Sequence, residues 1–185
     1  MATEAQFVRK YAEATDRKRI NMIVRNYSHF AQIIDSKING MVFLIVEEKA
    51  FQRSQSRGDL GVRVQSSTLG DTTCNEATSK VEIKKAIENC SFPEGMLEDI
   101  DFEEEIVQDA WTIRCMRRDY ELFNSMLDIL DPQELEVFMA FLKKEKSIDQ
   151  LAEECGILYN SADKRLNRLK ERVIAEMMTY RRRAA

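Results

Sequence analysis

Glycine and proline are scarce in this chain, with 6 glycines and 2 prolines among its 185 residues. An all-β sandwich or barrel needs a turn rich in these residues every ~8–12 residues, so this composition argues against such a fold. Hydrophobic residues make up 44% of the chain, which is enough for a folded core and excludes wholesale disorder. The sequence therefore predicts a mainly α-helical protein.

Hydrophobic spacing and composition divide the chain into four consecutive segments. Apolar residues recur at helical spacing near the N-terminus, where Met41–Val46 is compatible with either a buried helix segment or a short strand. A stretch rich in glycine, serine and threonine follows, which is typical of a loop or linker. The predicted segments are an N-terminal helical segment (1–51), a polar loop or linker (52–76), an acidic helical segment (77–118) and a C-terminal helical domain (119–185).

Charge is unevenly distributed around the net value of −4. Residues 94–136 carry 14 acids and 3 bases, whereas residues 1–65 and residues 143–185 each carry 11 bases and 7 acids. Basic ends around an acidic middle indicate contact with a polyanion. The runs Glu103–Glu105 and Arg17–Arg19 are expected on solvated helix faces, the second in preference to a DNA-binding patch.

Signatures of metal sites, enzymes and membrane spans are missing from the sequence. The four cysteines form no C-x-x-C pair and the chain has one histidine, so we expect no metal site and no cofactor. No phosphate-binding glycine loop or nucleophile arrangement occurs, so no catalytic residue is expected. Met1–Arg25 is too polar for a signal peptide, and Met41–Val46, the longest apolar run, is too short to span a bilayer. Thiols without a disulfide framework predict a cytoplasmic protein. Trp111 is expected in the core.

Signals for helix starts follow one another closely after residue 130. Asp131, Pro132 and Glu134 predict a helix with a capping box and proline at its first position. Ser147 and Gln150 repeat the capping-box pattern, so a second, short helix is expected to begin at Ile148.

A helix-turn-helix is predicted from the residues that follow. Gly156 is expected to end the short helix in the left-handed conformation, and the small Ala152 lets the next helix cross closely. That next helix is amphipathic, with its cap expected at Asn160 or Ser161. Such a helix presents its exposed side chains to phosphates and base edges in the major groove. The predicted DNA-binding residues are Asn160, Ser161, Lys164, Arg165, Arg168 and Arg172.

The stretch LDPQELEVFMAFLKKEKSIDQLAEECGILYNSADKRLNRLKERV, residues 130–173, resembles region 4 of the sigma-70 family. That resemblance implies a module that grips the promoter −35 element and a flap of RNA polymerase. The chain departs from the family at Leu158, where a Ser or Thr cap is usual, and at Asp163, where Lys is common. The positions that match are Leu130, Glu134, Val137, Phe138, Ser147, Leu151, Ala152, Glu153, Gly156, Ile157, Ser161, Ala162, Arg165, Leu166, Arg168 and Leu169.

A second, looser resemblance lies upstream. The polar segment Arg57–Ala77, with LGVRVQSSTLGDTTCNEAT, is similar to small phage and prophage transcriptional regulators of late operons. No counterpart of the sigma domain that opens the −10 element is found, so the resemblances imply a sequence-specific activator rather than a complete sigma factor. The expected partners are double-stranded DNA and RNA polymerase, with no membrane contact, and a homodimer is compatible with the sequence. Two alternatives stay open: a module that binds polymerase or a sigma factor without reading DNA, and a helical assembly protein of phage type.

Overall fold

The computed structural model describes residues 4–56, 72–98 and 100–183. Over these residues the chain forms eight α-helices and no β-strand, so the prediction of a mainly α-helical protein is confirmed. Single 3₁₀ turns follow α2 and α5. The helices are α1 (Glu4–Glu13), α2 (Asp16–Asn26), α3 (Phe30–Ser56), α4 (Thr72–Asn89), α5 (Glu103–Met126), α6 (Pro132–Leu142), α7 (Ile148–Glu154) and α8 (Tyr159–Arg183).

The helix bounds in the first half of the chain differ from the predicted segments at the loop and decide the conformation of the apolar run. Met41–Val46 lies inside α3, so this apolar run is helical rather than a strand. The predicted loop 52–76 is too long at both ends, because residues 52–56 complete α3 and residues 72–76 begin α4. Neither residues 52–56 nor residues 72–76 include a glycine or proline, the two residues that most disfavour a helix interior, so both stretches can be helical. Residues 57–71, which carry most of the similarity to late-operon regulators, lie outside the described residues.

The chain divides into two compact units, one of which is built from two stretches that are separated in sequence. The terminal unit comprises Met1–Ile33 and Cys115–Ala185, and the central unit comprises Ile34–Arg114. The unit boundaries fall inside α3 and α5, because both helices continue past them. The terminal unit contains all of the residues predicted to bind DNA.

A cluster of aromatic side chains joins the N-terminal helices of the terminal unit to the second half of α5. The rings of Phe30 and Tyr120 stack with their centroids 5.3 Å apart, and Tyr27 packs against both Tyr120 and Phe123. Burial and the neighbouring Tyr120 raise the pKa of Tyr27 to about 12. Its hydroxyl therefore stays protonated at neutral pH and donates to Asn124 Oδ1 over 2.9 Å.

The core of the terminal unit also contains a buried polar pair. Tyr11 Oη on α1 donates to Asp119 Oδ2 on α5 over 2.8 Å, and Asp119 is only 1% exposed. Nearby, Arg19 donates to the backbone carbonyls of Tyr11 and Ala12, which lie in the last turn of α1. These bonds attach the C-terminal end of α1 to α2 and α5.

The central unit packs α3, α4 and the first half of α5 around an aliphatic core. An ion pair of 2.7 Å between Lys37 Nζ and Asp109 Oδ2 links α3 to α5. Trp111 is 57% exposed, so the prediction that it lies in the core is wrong. The buried stripe of α5 runs through Ala110 and Ile113, and Trp111 instead shares the exposed face with Val107, one helical turn before it.

Candidate nucleic-acid interface

The two capped helix starts before α8 are confirmed. At α6, Glu134 and Asp131 form a capping box, with the Asp131 N–H donating to Glu134 Oε2 over 3.4 Å. At α7, the Gln150 N–H donates to Ser147 Oγ over 3.3 Å, and the Ser147 N–H donates to Gln150 Oε1 over 2.8 Å. These reciprocal bonds satisfy backbone donors that a helix start otherwise leaves open.

The turn between α7 and α8 follows the local signals of the sequence. Gly156 has φ +63°, as predicted, and the Ile157 N–H donates to the carbonyl of Ala152 over 2.9 Å. A glycine adopts this left-handed conformation without the steric cost that a Cβ atom brings. Ala152 is 5% exposed and lies on α7, which packs against α8.

The start of α8 differs from the prediction. The Leu158 carbonyl accepts hydrogen bonds from Ser161 (2.8 Å) and Ala162 (3.0 Å), and the helix begins at Tyr159. The cap predicted at Asn160 or Ser161 is therefore wrong, because both residues already lie in the first turn. Leu158 has no side-chain oxygen, so no capping residue in the sequence marks this helix start, and only the backbone carbonyl of Leu158 accepts the first helical hydrogen bonds. Leu158 itself is 79% exposed.

Leu158→Ser is expected to raise the free energy of unfolding by about 0.5–1 kcal/mol, because a serine hydroxyl at this position accepts a hydrogen bond from an open backbone N–H. Urea unfolding measures the change. Ala175→Ser is the matched control, since it places the same hydroxyl in the exposed middle of α8, where serine is a poorer helix former than alanine. Equal destabilisation by both substitutions would show that Leu158 is not the capping position.

The structure places most of the predicted DNA-binding residues on one face of α8. Asn160, Ser161, Lys164, Arg168 and Arg172 are exposed, whereas Arg165 is half-buried at the edge of this face. The opposite side of α8 is buried against α2, α6 and α7 of the same unit. The shallow concave surface along the exposed side is lined by Lys164, Asn167, Arg168, Glu171, Arg172 and Ala175; we call it the α8 face.

The cations of the α8 face differ in their intramolecular contacts. Arg172 Nη1 donates to Glu134 Oε2 over 2.8 Å, and Arg172 Nη2 donates to the Ile129 carbonyl over 3.1 Å. These bonds attach α8 to the start of α6. Lys164 and Arg168, by contrast, make no ion pair or hydrogen bond within the part of the chain that the structure describes.

Arg17, which is predicted on a solvated helix face, is exposed and lies at the edge of the α8 face. Arg17 Nη2, on α2, donates to Glu171 Oε2, on α8, over 2.5 Å. The two residues are 154 positions apart, and no local pattern indicates their contact. Arg17 and Arg19 therefore have different contacts, because Arg17 pairs with Glu171 on α8 whereas Arg19 donates to backbone carbonyls at the end of α1.

Among the described residues, no three His, Cys, Asp or Glu side chains are grouped so that they could hold a metal ion. The helices in this part of the chain also lack the combination of length and apolarity that crossing a membrane requires. Comparison with known proteins finds no match among family models, curated protein sequences or solved structures. The interpretation of the α8 face therefore depends on its own residues and geometry.

Proposed function

We propose that this chain is a sequence-specific DNA-binding regulator of transcription. In this proposal α7 and α8 act as a helix-turn-helix like region 4 of the sigma-70 family, and α8 enters the major groove. The observation that carries the proposal is the pair Lys164 and Arg168, two cations one turn apart on the exposed side of α8 that have no intramolecular partner among the described residues. Such side chains are available to phosphates and base edges at little cost.

The residues of the α8 face take different roles in this proposal. Arg168 is suited to a bidentate contact with guanine, worth about 1–3 kcal/mol of discrimination between bases. Lys164 and the half-buried Arg165 contact phosphates, which adds salt-dependent affinity. Asn160 and Ser161, in the first turn, approach base edges. Arg172 acts as a positioning residue, because its bonds to Glu134 and Ile129 hold α8 against the start of α6.

The resemblance of this segment to sigma-70 region 4 extends the proposal to RNA polymerase as the protein partner. The proposal also places the chain in the cytoplasm, together with DNA and RNA polymerase. A second candidate is a module that binds polymerase or a sigma factor without reading DNA. It is favoured by the exposed apolar residues Ile157 and Leu158 directly before α8, since grouped apolar side chains on a surface are typical of protein contacts.

Selection from a pool of random duplex DNA, followed by sequencing, tests the proposal. The wild-type chain is expected to enrich a defined motif, and Arg165→Ala/Arg168→Ala is expected to lose it. The matched control is Lys80→Ala/Lys85→Ala, which removes two exposed cations from α4 and should keep the motif.

Three outcomes contradict parts of the proposal. A motif that survives Arg165→Ala/Arg168→Ala would show that other residues read the DNA. Loss of the motif in the Lys80→Ala/Lys85→Ala control would show that net charge, rather than the α8 face, decides binding. Absence of any motif, together with capture of purified RNA polymerase by the wild-type chain, would replace DNA readout by the protein-binding alternative.

A further inference from the structure

We propose that α2 supplies a second contact to the same DNA duplex, so that Arg17 and the α8 face form one phosphate-binding surface built from two helices. Glu171 holds the Arg17 guanidinium beside the α8 face before DNA arrives, and a phosphate replaces the carboxylate when the complex forms. This inference rests on the proposed function and deepens it, because it extends the duplex contact beyond the sigma-like segment.

The geometry places Arg17 on this surface directly. Its guanidinium contacts Glu171, which lies between Arg168 and Arg172 in sequence and lines the same concave surface of α8. The helices that carry the pair, α2 and α8, pack against each other within the terminal unit. Arg17 therefore extends the α8 face sideways onto a helix that is remote in sequence.

The electrostatics of the pair favour exchange with a phosphate. The side chains of Arg17 and Glu171 are 60% and 47% exposed, respectively, and an exposed ion pair contributes only about 0–1 kcal/mol. Breaking it therefore costs little. Without Arg17, the carboxylate of Glu171 would face the phosphates uncompensated and repel them. With Arg17, the charge of Glu171 is neutralised in the free protein. In the complex Arg17 contacts a phosphate, and the released carboxylate of Glu171 then opposes part of the binding.

The arrangement fits an extended polyanion better than a small anion. Lys164 and Arg168 lie one turn apart on α8, with a rise of about 6 Å between them, and Arg17 lies to the side of this pair. A row of separate cations can neutralise several phosphates of one backbone, each with release of counterions. No enclosed cluster of cations is present on the α8 face to surround a single phosphate.

The test is a salt series of equilibrium binding, measured by fluorescence anisotropy, with the full chain and two short duplexes. One duplex carries the motif from the selection experiment and the other is unrelated in sequence. Arg17→Ala is expected to reduce the magnitude of the slope of log K against log salt by about one on both duplexes, because a phosphate contact carries no sequence information. Glu171→Gln is expected to raise affinity several-fold on both, since it removes a carboxylate that opposes the phosphates.

The pair Arg9 and Glu13 on α1 supplies matched controls, because it is also an exposed Arg–Glu ion pair. Arg9→Ala and Glu13→Gln should leave the slope and the affinity unchanged. An equal effect of the Arg9→Ala and Arg17→Ala substitutions would assign the loss to net charge and overturn the inference. The expected gain in Glu171→Gln cannot arise from unfolding, so it separates the inference from a trivial loss of structure.

The two proposals fail in distinguishable ways. If the wild-type chain binds DNA and Arg17→Ala keeps the full slope, or Glu171→Gln gains nothing, the two-helix surface is wrong and the proposed function stands. If the wild-type chain binds neither duplex at low salt, the proposed function fails and this inference falls with it.

Discussion

Asp119→Ala is expected to lower the free energy of unfolding by about 2–3 kcal/mol. Its carboxylate is buried and accepts a hydrogen bond from Tyr11 Oη over 2.8 Å. Removing the acceptor breaks this buried hydrogen bond, and a hydrogen bond to a charged group such as a carboxylate contributes about 1.5–3 kcal/mol. The contact also links α1 to α5, so the N-terminal helices should loosen first.

Urea unfolding of Asp119→Ala and three further variants tests this expectation. Glu121→Ala removes an exposed acid from the same helix and should change stability by less than about 0.5 kcal/mol. Tyr11→Phe removes the donor and, combined with Asp119→Ala, completes a double-mutant cycle whose coupling energy should lie within about 0.5–3 kcal/mol. A coupling energy near zero would show that the two side chains contribute independently.

The second large effect is expected from Ala152→Leu. Ala152 is buried on α7 where this helix packs against α8, and inserting extra methylene groups into a packed contact costs about 1–3 kcal/mol. The larger side chain is expected to push α7 and α8 apart. If α8 reads DNA, the selected motif should therefore weaken together with stability.

Glu153→Leu is the control, because it adds an apolar side chain at the neighbouring, exposed position of α7. Thermal unfolding and motif enrichment are measured for both variants. Ala152→Leu should lower both the unfolding temperature and the motif enrichment. Glu153→Leu should lower neither. A fully stable Ala152→Leu protein would mean that the contact between α7 and α8 has room for four-carbon side chains, contrary to the close crossing that the sequence predicts.

Local chemistry made much of this protein predictable from its sequence. The helix content follows from few glycines and prolines, and the starts of α6 and α7 follow from side chains that bond to backbone groups three residues away. The positive φ of Gly156 is equally local, because it depends on the absence of a Cβ atom. The exposed row of Lys164, Arg168 and Arg172 follows from helical periodicity once the apolar stripe of α8 is known.

Tertiary structure decided the features that depend on contacts between distant residues. Tyr11 meets Asp119 across 108 positions and Arg17 meets Glu171 across 154, and nothing near either residue in the sequence specifies its partner. The exposure of Trp111 depends on which face of α5 packs inward, because apolar residues recur at helical spacing on both the buried and the exposed face of this helix. The sequence by itself thus determined where α6 and α7 begin and where α7 ends, through interactions a few residues long. Packing determined which polar side chains are buried, and which charges share the surface of α8.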